Sequence, residues 1–281
     1  MKTDSTIFQL PKNIMQFSLG AVLFFITFRS FPIAFFPALL AFLLIYTAVY
    51  RLNDLADFSE DSKRELKRQL KALARQDISA ESAAIQACLF STLGIIISSF
   101  ISRAFLLLCL GILALNLLYS SRLTRFKKRQ FLALPTLAAI QFLKYSAGWF
   151  ALTESPLQFP ILLIAGISVF YSALFIYYKN IESEVLENRH LLKLFGAVFL
   201  VGAAIYTAAF FHYSLKLPML LIPLFSVAIL EVIKKQSYEL RWRYFILSTN
   251  LVLAATIISF AVLLIPSLAE ANLFLDKLMP L

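Results

Sequence analysis

The sequence predicts an all-α polytopic membrane protein, a nine-helix transmembrane bundle with acidic loops on its cytoplasmic side. Three observations carry this prediction. Hydrophobic residues make up 60% of the 281-residue chain and charged residues 15%, against about 25% charged in a soluble domain. The apolar residues are gathered into runs, several of them long enough for the roughly 20-residue helix that crosses a bilayer. The basic residues fall almost entirely in alternate loops.

In chain order, Met1–Pro11 is polar and mixed, with no signal-peptide pattern. Spans are expected at 13–30 and 32–50, followed by the long inner loop Arg51–Ser82, which begins as a continuation of the second span. Spans at 83–101 and 104–119 meet at the brief outer turn Ser102-Arg103, the second of them being short. The inner loop Ser120–Gln130 leads to a span at 131–153, and the turn Thr153–Gln158 to one at 159–178. The third inner loop, Lys179–His190, precedes spans at 191–213, 217–233 and 244–265. Residues 1–281 read as one domain. Acidic loops after both the second and the sixth span point to an internal duplication.

The net charge of +10 does not indicate nucleic-acid binding, because its distribution follows topology and no aromatic–basic module is present. With a cytoplasmic N-terminus, only Arg29, Arg103, Lys216 and Lys277 of the 26 Lys and Arg residues fall outside, and Lys144 lies within a span. The rest face inward, as the positive-inside rule requires. Without an Arg-rich transit pattern, a prokaryotic cytoplasmic membrane is the expected location. Cys88 and Cys109 are isolated in apolar runs, and the only histidines are His190 and His212. A disulfide framework and a His-rich zinc or haem site are not expected. Seven glycines with no G-x-G-x-x-G or P-loop pattern exclude soluble nucleotide-binding folds.

The chemistry concentrates in Asn53-Asp54-Leu55-Ala56-Asp57-Phe58-Ser59-Glu60-Asp61. On a helix, Asn53, Asp57 and Asp61 recur at i, i+4 and i+8 and form one stripe, with Asp54 on its flank. Like charges on one face repel unless a cation relieves them. Hard oxygen donors at a membrane edge suit Mg²⁺, which binds through carboxylates, water and substrate phosphates, so a lipid diphosphate is the expected ligand. Beyond the stripe, Leu66, Leu70 and Leu73 among basic residues predict an amphipathic helix over Asp61–Gln76. It is either an interfacial helix or a lid whose Lys63, Arg64, Lys67 or Arg68 turns toward a diphosphate. In the third inner loop, Asn180, Glu184 and Glu187 share a helical face, as a second metal site or an ordinary polar loop. Lys144 is the one base deep in a span, placed to bind an anionic substrate group or to form a structural contact. Tyr50, Tyr119 and Tyr145 stand beside polar motifs, where ring faces could stabilise a carbocation.

The chain resembles the UbiA-type intramembrane prenyltransferases. Residues Tyr50 to Asp61 match that family's Y-x-x-N-D-x-x-D-x-x-x-D signature at every defined position. Tyr119-Ser120-Ser121-Arg122-Leu123-Thr124-Arg125 resembles Y-S-x-x-L-K-R, with Thr124 for Lys, and Leu143-Lys144-Tyr145-Ser146-Ala147-Gly148 resembles L-R-x-x-A-G, with Lys144 for Arg. At the places of the family's second aspartate-rich motif stand Asn180, Ser183 and Glu187, with Glu184 adjacent, and Lys63–Arg75 replaces the usual K-P-x-R-P stretch. The resemblance implies Mg²⁺-dependent transfer of a prenyl group from a polyprenyl diphosphate to a lipophilic aromatic acceptor similar to 4-hydroxybenzoate, as in quinone biosynthesis. It implies catalytic roles for Asp54, Asp57 and Lys144. The metal ligands would be Asn53, Asp54, Asp57, Asp61, Glu184 and Glu187. The substrate contacts would be Asn53, Lys63, Arg64, Arg68, Tyr119, Arg122, Lys144, Tyr145 and Asn180. Two other readings keep the fold: phosphoribosyl transfer to a polyprenyl phosphate or prenylation of a glycerol-phosphate lipid, and non-catalytic isoprenoid-lipid binding or transport.

Overall fold

The structure, a computed structural model, describes residues 5–30, 32–121, 124–183, 200–208 and positions 247, 250, 251, 253, 254, 257 and 258. Every regular element among these residues is helical: α1 (Ser5–Phe28), α2 (Phe35–Asp61), α3 (Glu65–Leu70), α4 (Ala80–Ile101), α5 (Arg103–Ser120), a 3₁₀ turn (Phe126–Lys128), α6 (Gln130–Phe150) and α7 (Ile161–Ser183). Residues 200–208 are also helical. The six long helices occupy the first six expected spans. Four of them, α1, α2, α4 and α5, contain stretches long and apolar enough to cross a membrane, and α7 contains a shorter apolar stretch, Ile161–Ile176. The expected spans at 191–213, 217–233 and 244–265 lie mostly outside the described residues.

Side-chain size explains how these helices face lipid. Along α4 the buried residues are small, Ala83, Ala87, Gly94 and Ser98, whereas Ile85, Leu89, Leu93, Ile96 and Phe100 are exposed. A soluble helix would bury the second set. In a bilayer, large apolar groups gain nothing by leaving the lipid, and small residues let helix backbones approach. The small face of α4 packs on α2: a Cβ on Gly94 would come within 2.8 Å of Ile45 and 3.1 Å of the Ala41 carbonyl. The α1–α6 crossing is closer still. A Cβ on Gly20 would sit 2.1 Å from the Tyr145 carbonyl oxygen, and one on Gly148 1.9 Å from that of Phe17.

Two apolar clusters flank this crossing. Leu19, Leu23 and Phe24 pack with Tyr145, Trp149, Leu163, Ile164 and Ile167, joining α1, α6 and α7. Phe17, Phe42, Ile45, Phe105, Cys109 and Ile112 join α1, α2 and α5. The α4–α5 turn is fixed by Ser102, whose hydroxyl accepts from Phe105 N–H at 3.0 Å and donates to the Phe150 carbonyl at 2.8 Å. Cys88 and Cys109 are unbridged.

The second helix continues past the expected span at 32–50, as the stripe spacing requires, through the acidic residues to Asp61 and stops where Ser62 turns back to bond the Phe58 carbonyl. The amphipathic helix expected over Asp61–Gln76 is reduced to α3, Glu65–Leu70. After it the chain runs through turns in which Ala72, Leu73 and Ala74 are buried, and Gln76 adopts a positive φ of 66°. Leu73, one of the apolar positions that suggested a continuous helix, is buried in this turn instead.

Candidate active site

Continuation of α2 makes the acidic stripe rigid. Tyr46, Tyr50 and Asp54 follow at four-residue intervals, with Asp57 and Asp61 beyond, so Tyr46 and Asp54 are about 12 Å apart along the axis. The result is a two-tier polar column along one end of the helix.

The deeper tier is built by α1, α2 and α6. Lys144 is 4% exposed, and its ammonium donates to Asn13 Oδ1 at 3.0 Å. It also lies 4.1 Å from the centroid of the Tyr46 ring, a cation–π arrangement. Asn13 Nδ2 in turn donates to the Tyr50 hydroxyl oxygen at 2.7 Å, which leaves the phenolic hydrogen directed elsewhere. Gln16 Nε2 donates to Gln141 Oε1 at 2.9 Å and reaches the Tyr145 hydroxyl at 3.5 Å. Among the described residues no carboxylate pairs with Lys144, so its charge is met by an amide dipole and an aromatic face.

The upper tier is the acidic end of α2. Asp54 and Asp61 are both buried, and one ammonium serves both: Lys71 Nζ is 2.8 Å from Asp54 Oδ1 and 2.6 Å from Asp61 Oδ2. Arg51 lies 3.9 Å from the other oxygen of Asp54. Burial by itself would lower the Lys71 pKa, but the charges of Asp54 and Asp61 outweigh it and hold the pKa above the ordinary lysine value. The turn before α6 supplies two more cations. Lys127 pairs with Asp57, and Arg125 reaches Glu60 at 3.4 Å. Arg125 sits in the left-handed region (φ 44°), reversing the chain between α5 and α6. Two segments far apart in sequence thus deliver bases to one helix end.

These contacts place the residues singled out in sequence. Asn53, half-buried, shares the end of α2 with Asp54, Asp57 and Asp61. Lys63, Arg64 and Arg68 are exposed, Arg68 pairing with Glu65 beside it; Lys71 is the loop cation that turns inward. Tyr119 is buried against Ala133, Leu137 and Ile140, and Tyr145 is fully buried. Asn180 lies in the last turns of α7. Arg122, Glu184 and Glu187 lie outside the described residues. Lys71, Lys127, Asn13, Gln16 and Tyr46 were not singled out in sequence. Asn13 and Gln16, polar residues at the start of an apolar run, carried a usable signal.

Among the described residues no three His, Cys, Asp or Glu side chains close into a metal cage. The donor set nonetheless suits Mg²⁺. Two buried carboxylates converge on one cationic centre, where Lys71 stands in, and Mg²⁺ uses one or two carboxylates plus substrate phosphates and water in preference to an all-protein cage.

Residues 15–252 match the UbiA prenyltransferase family. Among curated proteins none matches the chain. The fold is similar to that of a UbiA homologue from Archaeoglobus fulgidus bound to DMAPP and Mg²⁺, with a TM-score of 0.68 and 14% identity over 92% of this chain and 99% of that one. The GPP- and Mg²⁺-bound form gives 0.67 and 16% with the same coverage. A digeranylgeranylglyceryl phosphate synthase is similar at 0.63 and 14% identity, over 92% of this chain and 95% of its own. At such identities the likeness concerns the fold.

Proposed function

Because the chain belongs to the UbiA prenyltransferase family, we propose that it transfers a prenyl group, within the membrane and with Mg²⁺, from a polyprenyl diphosphate to a lipophilic aromatic acceptor of the 4-hydroxybenzoate kind. The product would be a prenylated aromatic of the sort used to build quinones. The observation that carries this reading is the convergence of Asp54 and Asp61 on one cationic centre, with Asp57 one turn between them. Solved structures of like fold hold GPP or DMAPP together with Mg²⁺.

Diphosphate leaves poorly until its charge is neutralised. Asn53, Asp54, Asp57 and Asp61 would hold the metal, which supplies Lewis-acid stabilisation of the departing diphosphate when bound. Lys71 and Lys127 stand on these carboxylates and Arg125 on the neighbouring Glu60, within a side chain's reach of a diphosphate there, where preorganised positive charge acts on the charge that develops. The allylic fragment would lie toward the apolar bundle, over the rings of Tyr46 and Tyr50, whose faces favour a cation and whose surroundings exclude water. Lys144 would orient the acceptor through its acidic group. We further infer an N-terminus on the cytoplasmic side of a prokaryotic membrane and a single catalytic domain.

The test is a donor and acceptor screen on protein in nanodiscs. Geranyl diphosphate with 4-hydroxybenzoate is expected to yield a prenylated acid. Likeness to a digeranylgeranylglyceryl phosphate synthase makes a glycerol-phosphate lipid the second acceptor to supply. Turnover of phosphoribosyl diphosphate instead of allylic diphosphates, or donor binding with no product from either acceptor, would replace this reading.

A further inference from the structure

We propose that Lys71 makes the metal site selective for a metal–diphosphate pair: its ammonium is a built-in counter-cation for Asp54 and Asp61, and a divalent ion gains full access to them only when a diphosphate arrives to receive that ammonium. The inference rests on the prenyl-transfer reading and concerns the same site.

Asp54 and Asp61 are seven residues apart on α2, about 10 Å along the axis, yet both carboxylates bend to one nitrogen at 2.8 and 2.6 Å. Both are buried. Two buried carboxylates without a cation are strongly unfavourable, and Lys71 removes that penalty with no ligand present. The turn carrying it is anchored by the burial of Ala72, Leu73 and Ala74, immediately after it. Lys63, Arg64 and Arg68, earlier in the same segment, are exposed.

A divalent ion arriving alone must displace the ammonium and leave it, half-buried, without its two anions. A diphosphate arriving alone meets two buried carboxylates of its own sign. Arriving together, the ion takes the carboxylates and the diphosphate oxygens take the ammonium, so every charge keeps an opposite partner. Metal and donor affinities are then coupled, and the coupling is reciprocal. The consequence is a site that does not fill with free cytoplasmic cation and engages only with a loaded donor.

The experiment titrates Mn²⁺, read by its electron paramagnetic resonance signal, into the full chain in nanodiscs. It is run with and without geranyl S-thiolodiphosphate, whose bridging sulfur prevents turnover. In the unaltered protein the analogue is expected to tighten Mn²⁺ about tenfold or more. Lys71→Met is expected to bind Mn²⁺ alone about fivefold tighter and to lose most of the coupling, while Lys71→Arg retains it. Arg75→Gln, which removes an equal charge from the same segment at a residue paired with Asp77, is expected to leave Mn²⁺ affinity unchanged. Thermal unfolding confirms that each variant is folded, and the Lys71→Arg titration tests the coupling should Lys71→Met not fold. The inference is overturned if Lys71→Met binds Mn²⁺ no tighter than the unaltered chain, if its coupling to the analogue is intact, or if Arg75→Gln has the same effect. If the unaltered protein binds neither Mn²⁺ nor the analogue, together or apart, the prenyl-transfer reading fails as well; if it binds both and Lys71→Met behaves identically, the inference alone fails.

Discussion

Gly20 on α1 and Gly148 on α6 cross in backbone contact, each standing where a Cβ would lie about 2 Å from a carbonyl oxygen of the other helix. This crossing sets the register of the deeper polar tier. Asn13 is two turns before Gly20, and Lys144 is one turn before Gly148. Only with the helices this close does Lys144 Nζ come to 3.0 Å from Asn13 Oδ1. Gly148→Ala is therefore expected to destabilise the protein by about 1–3 kcal/mol, the usual cost of overpacking, seen as a lower midpoint of thermal unfolding in detergent. Gly111→Ala is the comparison: its Cβ meets only the Leu143 Cδ1 at 3.1 Å, a flexible side-chain end, and a much smaller loss is expected.

Lys144→Met should separate binding from folding. The variant removes a buried cation that no acid among the described residues balances, so thermal stability is expected to hold or rise. If Lys144 orients the acceptor, KM for an acidic acceptor rises about tenfold or more, with donor affinity unchanged. A panel comparing 4-hydroxybenzoate with 4-hydroxybenzamide reads this directly, since the amide should be indifferent to the substitution.

The four acids at the end of α2 should not be equivalent. Glu60 meets Arg125 at 3.4 Å with both side chains more than a third exposed. Such a pair contributes less than about 1 kcal/mol, so Glu60→Gln is expected to change stability and turnover little. Asp57 is the nearer match to the metal stripe, and Asp57→Asn is expected to lower turnover by about a hundredfold or more, measured as prenylated product per enzyme.

The Lys71 pair has a defined pH signature. Its pKa is raised in the folded protein by Asp54 and Asp61, against the lowering effect of burial. The pair's contribution to stability is therefore fully present below the ordinary lysine value and is lost only as pH rises through the raised one. The difference in unfolding midpoint between the unaltered chain and Lys71→Met is expected to be constant from roughly pH 6 to pH 9 and to shrink in strongly alkaline buffer.

Much of this was legible in the sequence, for local reasons. The long apolar runs placed the six long helices, and the spacing of Asn53, Asp57 and Asp61 placed them along one helix. Lys71, Lys127 and Asn13 were not legible in that way. Lys71 reaches Asp61 across a turn whose path depends on Ala72–Ala74 being buried, and Lys127 reaches Asp57 from another loop. Asn13 meets Lys144 across a helix crossing that two glycines permit, 131 residues away in sequence. Such contacts are properties of packing, not of periodicity. The amphipathic pattern after Asp61 misled because Leu73 serves tertiary burial and not an interfacial helix.

The most direct test of the central claim is diphosphate release by the purified protein in nanodiscs, supplied with allylic diphosphates of several lengths, with and without Mg²⁺ and 4-hydroxybenzoate, beside Asp54→Ala. Release that requires Mg²⁺, increases with the acceptor and vanishes in Asp54→Ala is the expected result. Release that is indifferent to Mg²⁺ or survives the substitution, or its absence with every donor that the protein demonstrably binds, would contradict it.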